Sequence, residues 1–157
     1  MTDPHNALIA FQEALLGGFI QPTRCPLHQD LSYFLDCPTT SPRITFALID
    51  SNQVVKAIAM FAGIEPVHGS RSFAIGYAVA EKYRRQGLAH EIVAKSLSEL
   101  SSILKGQATR IFIDAVVGVD NVPSQKVAMR HISERHDEIT DEICGLPAFH
   151  YTRFIEC

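Results

Sequence analysis

The segment 84–89 constrains the fold of this chain most, because the periodicity of apolar residues changes on either side of it. The residues before it, 72–79, read SFAIGYAV, a continuous apolar run typical of a buried strand. The residues after it, 88–104, carry apolar side chains at helical spacing, which predicts an amphipathic helix. The chain therefore passes from a strand into a long helix through a short turn that contains two arginines and one glycine.

This turn has the features of an anion-binding site. The first turn of a helix has unpaired backbone N–H groups and a partial positive charge. A glycine lacks a Cβ atom, so an anion can approach its backbone closely, and guanidinium groups match phosphate oxygens. The sequence therefore predicts a phosphate or pyrophosphate site formed by Arg84, Arg85, Gln86, Gly87, Leu88 and Ala89. The alternative interpretation is a charged, solvated loop that happens to precede a helix.

Two common phosphate-binding motifs do not fit the turn. A Walker loop has two glycines separated by four residues and ends in Gly-Lys-Ser/Thr, whereas here the sequence is Gln86-Gly87-Leu88. The dinucleotide fingerprint requires two further glycines that are missing.

The spacing Arg-x-x-Gly-x-Ala, directly after a strand and at the start of a long helix, resembles the acyl-CoA site of the GNAT superfamily of N-acetyltransferases. The wider string GYAVAEKYRRQGLAHEIV is similar to the signature region of that family. The resemblance extends over 46–155, with its core at 72–130. It implies an α/β fold with a mixed central sheet, mostly antiparallel with one splayed parallel strand pair, and helices on both faces. It also implies acetyl-CoA as co-substrate and a primary amine, on a small molecule or a protein N-terminus, as acceptor.

The resemblance assigns further residues to the cofactor. By position, the backbone of Tyr77, Ala78 and Val79 would hold the pantetheine arm, and one of their N–H groups would face the thioester oxygen. Asn121 and Ser124 match the Asn-x-x-Ser pattern of the family, which implies contacts from the Asn amide and the Ser hydroxyl to the cofactor or substrate. The alternative is that both residues only cap the helix that follows.

The chain departs from the family pattern at two positions that bear on catalysis. Many members have a Tyr general acid seven residues after the motif Asn, but Ala128 stands there in this chain. Many also have a Glu general base on the strand before the turn at residues 84–89, the anion turn, where the aligned residue is Ala74. These departures leave open a second hypothesis, a non-catalytic acyl-CoA-binding protein of the same fold.

A general base is needed because an alkyl ammonium, with a pKa of about 10.4, must lose a proton before it can attack. Asp114 and Glu65 are the two catalytic candidates, with His68 and His150 as further possibilities. Asp114 is notable as a carboxylate within the apolar run 110–117. Its alternative role is that of an internal partner for an arginine or a hydroxyl.

Composition indicates one domain. The chain has 157 residues, of which 46% are apolar, enough for a single core over 1–157. The formal net charge of −3 argues against a nucleic-acid-binding protein. The longest apolar run, 57–64, is far shorter than the roughly 20 residues that span a bilayer. We therefore expect a cytoplasmic protein without a membrane segment, and the last strands are the candidate interface for a homodimer.

The cysteine and histidine pattern does not suggest a metal site. The four cysteines form no C-x-x-C pair, and His131 and His136 do not share a helical face. We expect reduced thiols, with a disulfide between Cys25 and Cys37 as the less favoured alternative.

The periodicity divides the chain into a helical N-terminal segment, 1–42, and a sheet core, 43–157. Strands are predicted at 43–50, 54–64, 72–79, 110–117, 138–144 and 148–155; helices at 4–16, 27–36, 88–104 and 121–135; and a linker at 37–42. The strand–helix–strand unit 72–117 predicts a parallel pair with a right-handed crossover. Gly76, within its first strand, predicts a bulge, a close backbone approach or crowding against a helix.

Overall fold

The computed structural model describes residues 3–37 and 41–157 as one eight-stranded sheet with three α-helices. The elements are α1 (Pro4–Leu16), β1 (Thr23–Arg24), β2 (Leu31–Asp36), β3 (Arg43–Ile49), β4 (Val55–Val67), β5 (Ser70–Val79), a 3-10 turn (Glu81–Tyr83), α2 (Leu88–Leu104), β6 (Arg110–Gly118), α3 (Val122–His131), β7 (Asp137–Thr140) and β8 (Pro147–Glu156). The strand order is β1-β2-β3-β4-β5-β6-β8-β7. Only β5 and β6 pair in parallel among these strands, which confirms the predicted mixed sheet.

Helices cover both faces of the sheet. On one face, α2 and α3 pack on the sheet through a core that includes Phe61, Ile92, Leu100 and Ile113. On the other face, α1 packs over β3, β4 and β5 around a smaller cluster that includes Phe11. Successive side chains along a strand point to opposite faces of the sheet, so neighbouring residues of β5 or of β6 face different helices.

The predicted helix at 27–36 is wrong. Residues Leu31–Asp36 form β2, which pairs antiparallel with β3. Leu31 packs in the core with α2, whereas Phe34 packs in the cluster with α1. Apolar side chains on both faces of the strand mimic helical spacing, and hydrogen bonding to β3 decides the outcome. The segment 1–42 is therefore only partly helical.

The other differences are at element ends. β4 extends to Val67, and α3 ends at His131, where the N–H groups of residues 132 and 133 both donate to the Ala128 carbonyl. β7 is confined to Asp137–Thr140, because the residues after it form a turn in which Gly145 N–H donates to the Asp141 carbonyl at 2.7 Å.

The four cysteines are free thiols, so the pair Cys25–Cys37 is not bonded. The predicted linker 37–42 lies partly outside the described residues, because 38–40 are not described.

Candidate functional site

The parallel strands β5 and β6 separate along their length. They are paired only from Arg71–Ile111 to Ala74–Asp114. Beyond that point β5 continues to Val79 alongside β4, and β6 continues alongside β8. The result is a V-shaped gap in the sheet that opens toward the carboxyl ends of both strands.

The backbone of β5 offers hydrogen-bonding groups to this gap. Ala80 N–H donates to the Lys56 carbonyl of β4 at 2.9 Å, and the β4–β5 register is regular from Val79 back to residue 72. Because backbone groups alternate along an antiparallel strand, those of Tyr77 and Val79 face the gap, and those of Ala78 face β4. Of the three residues that the resemblance assigned to pantetheine, two can therefore use their backbone for it.

Gly76 lies buried two residues beyond the last parallel pair, opposite Met60 of β4. The β4–β5 ladder has no bulge at this position; its register shift lies between Ile64 and Val67. Of the roles predicted for this glycine, crowding against a helix fits its position best, because Met60 opposite it and Ala78 two residues on belong to the cluster that packs with α1.

The turn between β5 and α2 leaves its backbone amides free. Gly87, the N-cap of α2, has φ +78°, and Arg85 has φ +61°. Gly87 has no side chain to cap the helix, whereas Asp3 caps α1 and Asn121 caps α3. Because no capping side chain competes for these amides, they remain available to an anion at the mouth of the gap.

The side chains of the turn agree with this assignment. Arg84, Arg85, Gln86 and Gly87 are exposed, and Leu88 and Ala89 are half-buried. Arg84 Nε donates to the Val79 carbonyl at 3.2 Å, which keeps its guanidinium beside the end of β5. Two positive charges therefore flank the unpaired amides.

The opposite wall of the gap is the start of α3. Asn121 Oδ1 accepts from Ser124 N–H at 3.2 Å, so Asn121 does cap the helix. The Tyr77 hydroxyl crosses from β5 and donates to the Ser124 carbonyl at 2.8 Å. Burial raises the pKa of Tyr77, so its phenol remains protonated. This contact could not be predicted from local sequence patterns, because it joins residues 47 positions apart.

The base of the gap carries a carboxylate–imidazole pair. His150 Nε2 lies 2.9 Å from Asp114 Oδ1, and about a quarter of each side chain is exposed. The partner of Asp114 is thus a histidine, not the predicted arginine or hydroxyl. Asp114 is also level with Ala74, the last parallel pair before the strands part. A carboxylate therefore lies on the neighbouring strand at the level of Ala74, where β5 has none.

The two remaining candidates for the base lie elsewhere. Glu65 is exposed near the end of β4, beside the start of β5, at the opposite end of β5 from the anion turn. His68 is exposed in the following turn, with its ring 6.3 Å from that of Phe154. The structure brings Asp114 and His150 together and keeps Glu65 and His68 apart from the gap.

The described residues contain no cluster of three or more His, Cys, Asp or Glu side chains able to hold a metal ion. None of the helices within 3–37 and 41–157 is long and apolar enough to cross a membrane.

The comparison with protein families agrees with this architecture. The model of the acetyltransferase (GNAT) family matches residues 12–131. This span is more than half of the chain, and the chain therefore belongs to the GNAT acetyltransferase family. No curated protein sequence shows significant similarity to it.

Solved structures share the fold at low sequence identity. A chimera of the spermidine N-acetyltransferase SpeG from Vibrio cholerae and hSSAT is 15% identical in sequence to this chain. The alignment covers 71% of this chain and 66% of the chimera, with a TM-score of 0.55. Mutant forms of the V. cholerae spermidine/spermine N-acetyltransferase SpeG are 17% identical, with coverages of 71% and 66% and a TM-score of 0.53. A putative acetyltransferase from Acinetobacter baylyi is 12% identical, with coverages of 73% and 64% and a TM-score of 0.53. The chain thus spans slightly less than two thirds of the length of these proteins, and the likeness concerns the fold.

Proposed function

We propose that this protein is an N-acetyltransferase that moves the acetyl group of acetyl-CoA to a primary amine by direct attack. The observation that carries the proposal is the uncapped start of α2 at the mouth of the gap between β5 and β6. A helix N-terminus with free amides binds a diphosphate, and an open strand edge beside it binds an extended amide-containing arm. Acetyl-CoA combines both groups in one molecule.

Each part of the cofactor has a matching group in the chain. The amides of residues 87–89, with Arg84 and Arg85, would hold the diphosphate. The backbone of Tyr77 and Val79 would hold the pantetheine arm, and Asn121 and Ser124 form the other wall. The amide of Tyr77, nearest the base of the gap, would stabilise the oxyanion that forms on the thioester carbonyl.

The proton transfers are assigned to opposite faces of the sheet. Asp114 and His150 lie on the face that α1 covers, and their pair would accept the proton of the incoming ammonium. The neutral nitrogen then bonds to the thioester carbon, collapse of the tetrahedral intermediate breaks the C–S bond, and the nitrogen loses its second proton to solvent. Tyr77 points to the α3 face, where its phenol can give its proton to the departing sulfur and regain one from solvent. Tyr77 thereby takes the role for which Ala128 has no suitable group.

The acceptor is proposed as a primary amine on a small molecule or a protein N-terminus, in a cytoplasmic setting. The similar SpeG structures are of a spermidine N-acetyltransferase, and spermidine is a polyamine, so polyamines belong in the first screen. A carboxylate at the base of the gap suits any such cation, which leaves the amine to be identified by assay.

The test combines binding with turnover. We expect acetyl-CoA to raise the unfolding temperature of the protein, and an amine panel to release free CoA in steady state. Stabilisation by acetyl-CoA without CoA release from any amine would instead support the alternative function, a non-catalytic acyl-CoA-binding protein. Absence of any stabilisation by acetyl-CoA or longer acyl-CoAs would contradict both.

Replacement of Tyr77 by Phe tests the proton donor. We expect kcat to fall about 100-fold, since general acid catalysis contributes on this scale, while the affinity for acetyl-CoA stays unchanged because the backbone contact is retained. Tyr33→Phe, at a half-buried tyrosine on β2, is the matched control. A loss of acetyl-CoA affinity with unchanged kcat would assign the phenol to binding alone.

A further inference from the structure

Besides the anion turn, a second group of basic side chains lies on the face of the sheet that α2 and α3 cover. A cavity of about 340 Å³ opens between the middle of α2, the carboxyl end of α3 and the end of β8. Its lining includes Leu97, Ser98, Ser101, Arg130, His131 and Arg153. This volume is within the range of small-ligand sites, which begins at roughly 300 Å³.

The lining contains two guanidinium groups, an imidazole and two hydroxyls, and it contains no carboxylate. Arg153 Nη1 donates to the His131 carbonyl at 2.8 Å, which uses one of its five N–H groups. Arg130 makes no side-chain hydrogen bond or salt bridge in the described part of the chain. Burial lowers the pKa of His131, and the charges of His90, Arg130 and Arg153 act in the same direction. The lining therefore carries positive charge with no carboxylate among its own residues, and its Ser101 hydroxyl already donates to the Glu156 carbonyl at 3.0 Å.

The cavity is adjacent to the proposed cofactor site but separate from it. His90, in the first turn of α2, lies 3.1 Å from His131 through their ring nitrogens Nδ1 and Nε2. The cavity begins beyond this contact, at Ala94. Seven residues of helix separate Ala94 from Gly87, a rise of about 10 Å. A diphosphate at the anion turn therefore does not fill the cavity.

We propose that this cavity binds a phosphate monoester. A phosphate group has three terminal oxygens and up to two negative charges, which match two guanidinium forks and a nearby hydroxyl. A single carboxylate would leave one of the two forks unpaired. The apolar side chains of Leu97 and Ile155 also favour a ligand with a carbon skeleton next to the phosphate.

Two sources can supply this group. One is the ribose phosphate of coenzyme A itself, reached from the anion turn past His90; this source rests on the proposed function. The other is a separate phosphorylated small molecule, which would bind whether or not acetyl-CoA does.

The experiment compares coenzyme A with 3′-dephospho-CoA by calorimetry, and titrates phenyl phosphate in parallel. The variants are Arg130→Gln, which breaks no side-chain bond in the described residues, and the double variant with Arg153→Gln. Arg135→Gln, an exposed arginine outside the lining, controls for the loss of charge. Unfolding temperatures establish that each variant is folded.

If coenzyme A is the source, the wild-type protein prefers it to the dephospho form by about tenfold or more, and the double variant loses that preference. If a separate ligand is the source, phenyl phosphate binds the wild-type and Arg135→Gln proteins but not the double variant, even when acetyl-CoA does not bind. Equal affinity for both cofactors together with no binding of phenyl phosphate overturns the proposal.

Discussion

Replacement of Gly87 by Glu is expected to weaken acetyl-CoA binding by at least about 100-fold, as measured by calorimetry. A carboxylate at this position would lie against the diphosphate, and its charge would cancel part of the positive field of Arg84 and Arg85. Nothing lies within 4 Å of a Cβ built at Gly87, so the fold has room for the side chain. The loss is therefore expected in binding rather than in folding.

Conformational strain needs a separate control, because Gly87 has φ +78° and a non-glycine residue there costs about 1–2 kcal/mol. Gly69, in the turn between β4 and β5, has φ +71° and equally open surroundings. Gly69→Glu introduces the same strain and the same charge at the end of β5 remote from the anion turn. It should retain wild-type affinity. Unchanged affinity in Gly87→Glu would remove the main argument for the cofactor site.

The second large effect is expected at Asp114. Asp114→Asn should lower kcat about 100-fold and leave the affinity for acetyl-CoA unchanged, since a general base acts on the amine and not on the cofactor. The reduced rate should recover as pH rises, because more of the acceptor is then already deprotonated. The measurement is the pH profile of kcat and of kcat/KM.

Two comparisons make this result specific. Asp137, on β7 opposite His150, is an exposed carboxylate near the same imidazole, so Asp137→Asn reports on charge alone. Glu65→Gln tests the other predicted carboxylate, which lies away from the gap. A lower unfolding temperature with normal turnover in Asp114→Asn would mean that the pair with His150 is structural.

Much of the fold follows from local patterns. α2 occupies the predicted residues, Leu88–Leu104, and β5 and β6 begin and end within two residues of expectation. In these segments the apolar period, the glycine at the turn and the residues at each end all favour the same structure. The prediction for residues 27–36 failed because the apolar side chains of β2 pack into two clusters, one on each face of the sheet. Local periodicity cannot distinguish this pattern from that of a helix.

The candidate site likewise has one part that the sequence predicts and one part that only the fold determines. The anion turn belongs to one continuous stretch of chain, so the sequence alone was enough to predict it at residues 84–89, from a basic glycine turn before a helix. The partners of its neighbours are distant in sequence: Asp114 meets His150, and Tyr77 meets Ser124. Only the sheet order and the separation of β5 from β6 bring these pairs together. The chemistry of the turn depends on residues that are adjacent in sequence, whereas the contacts across the gap depend on how the whole sheet assembles.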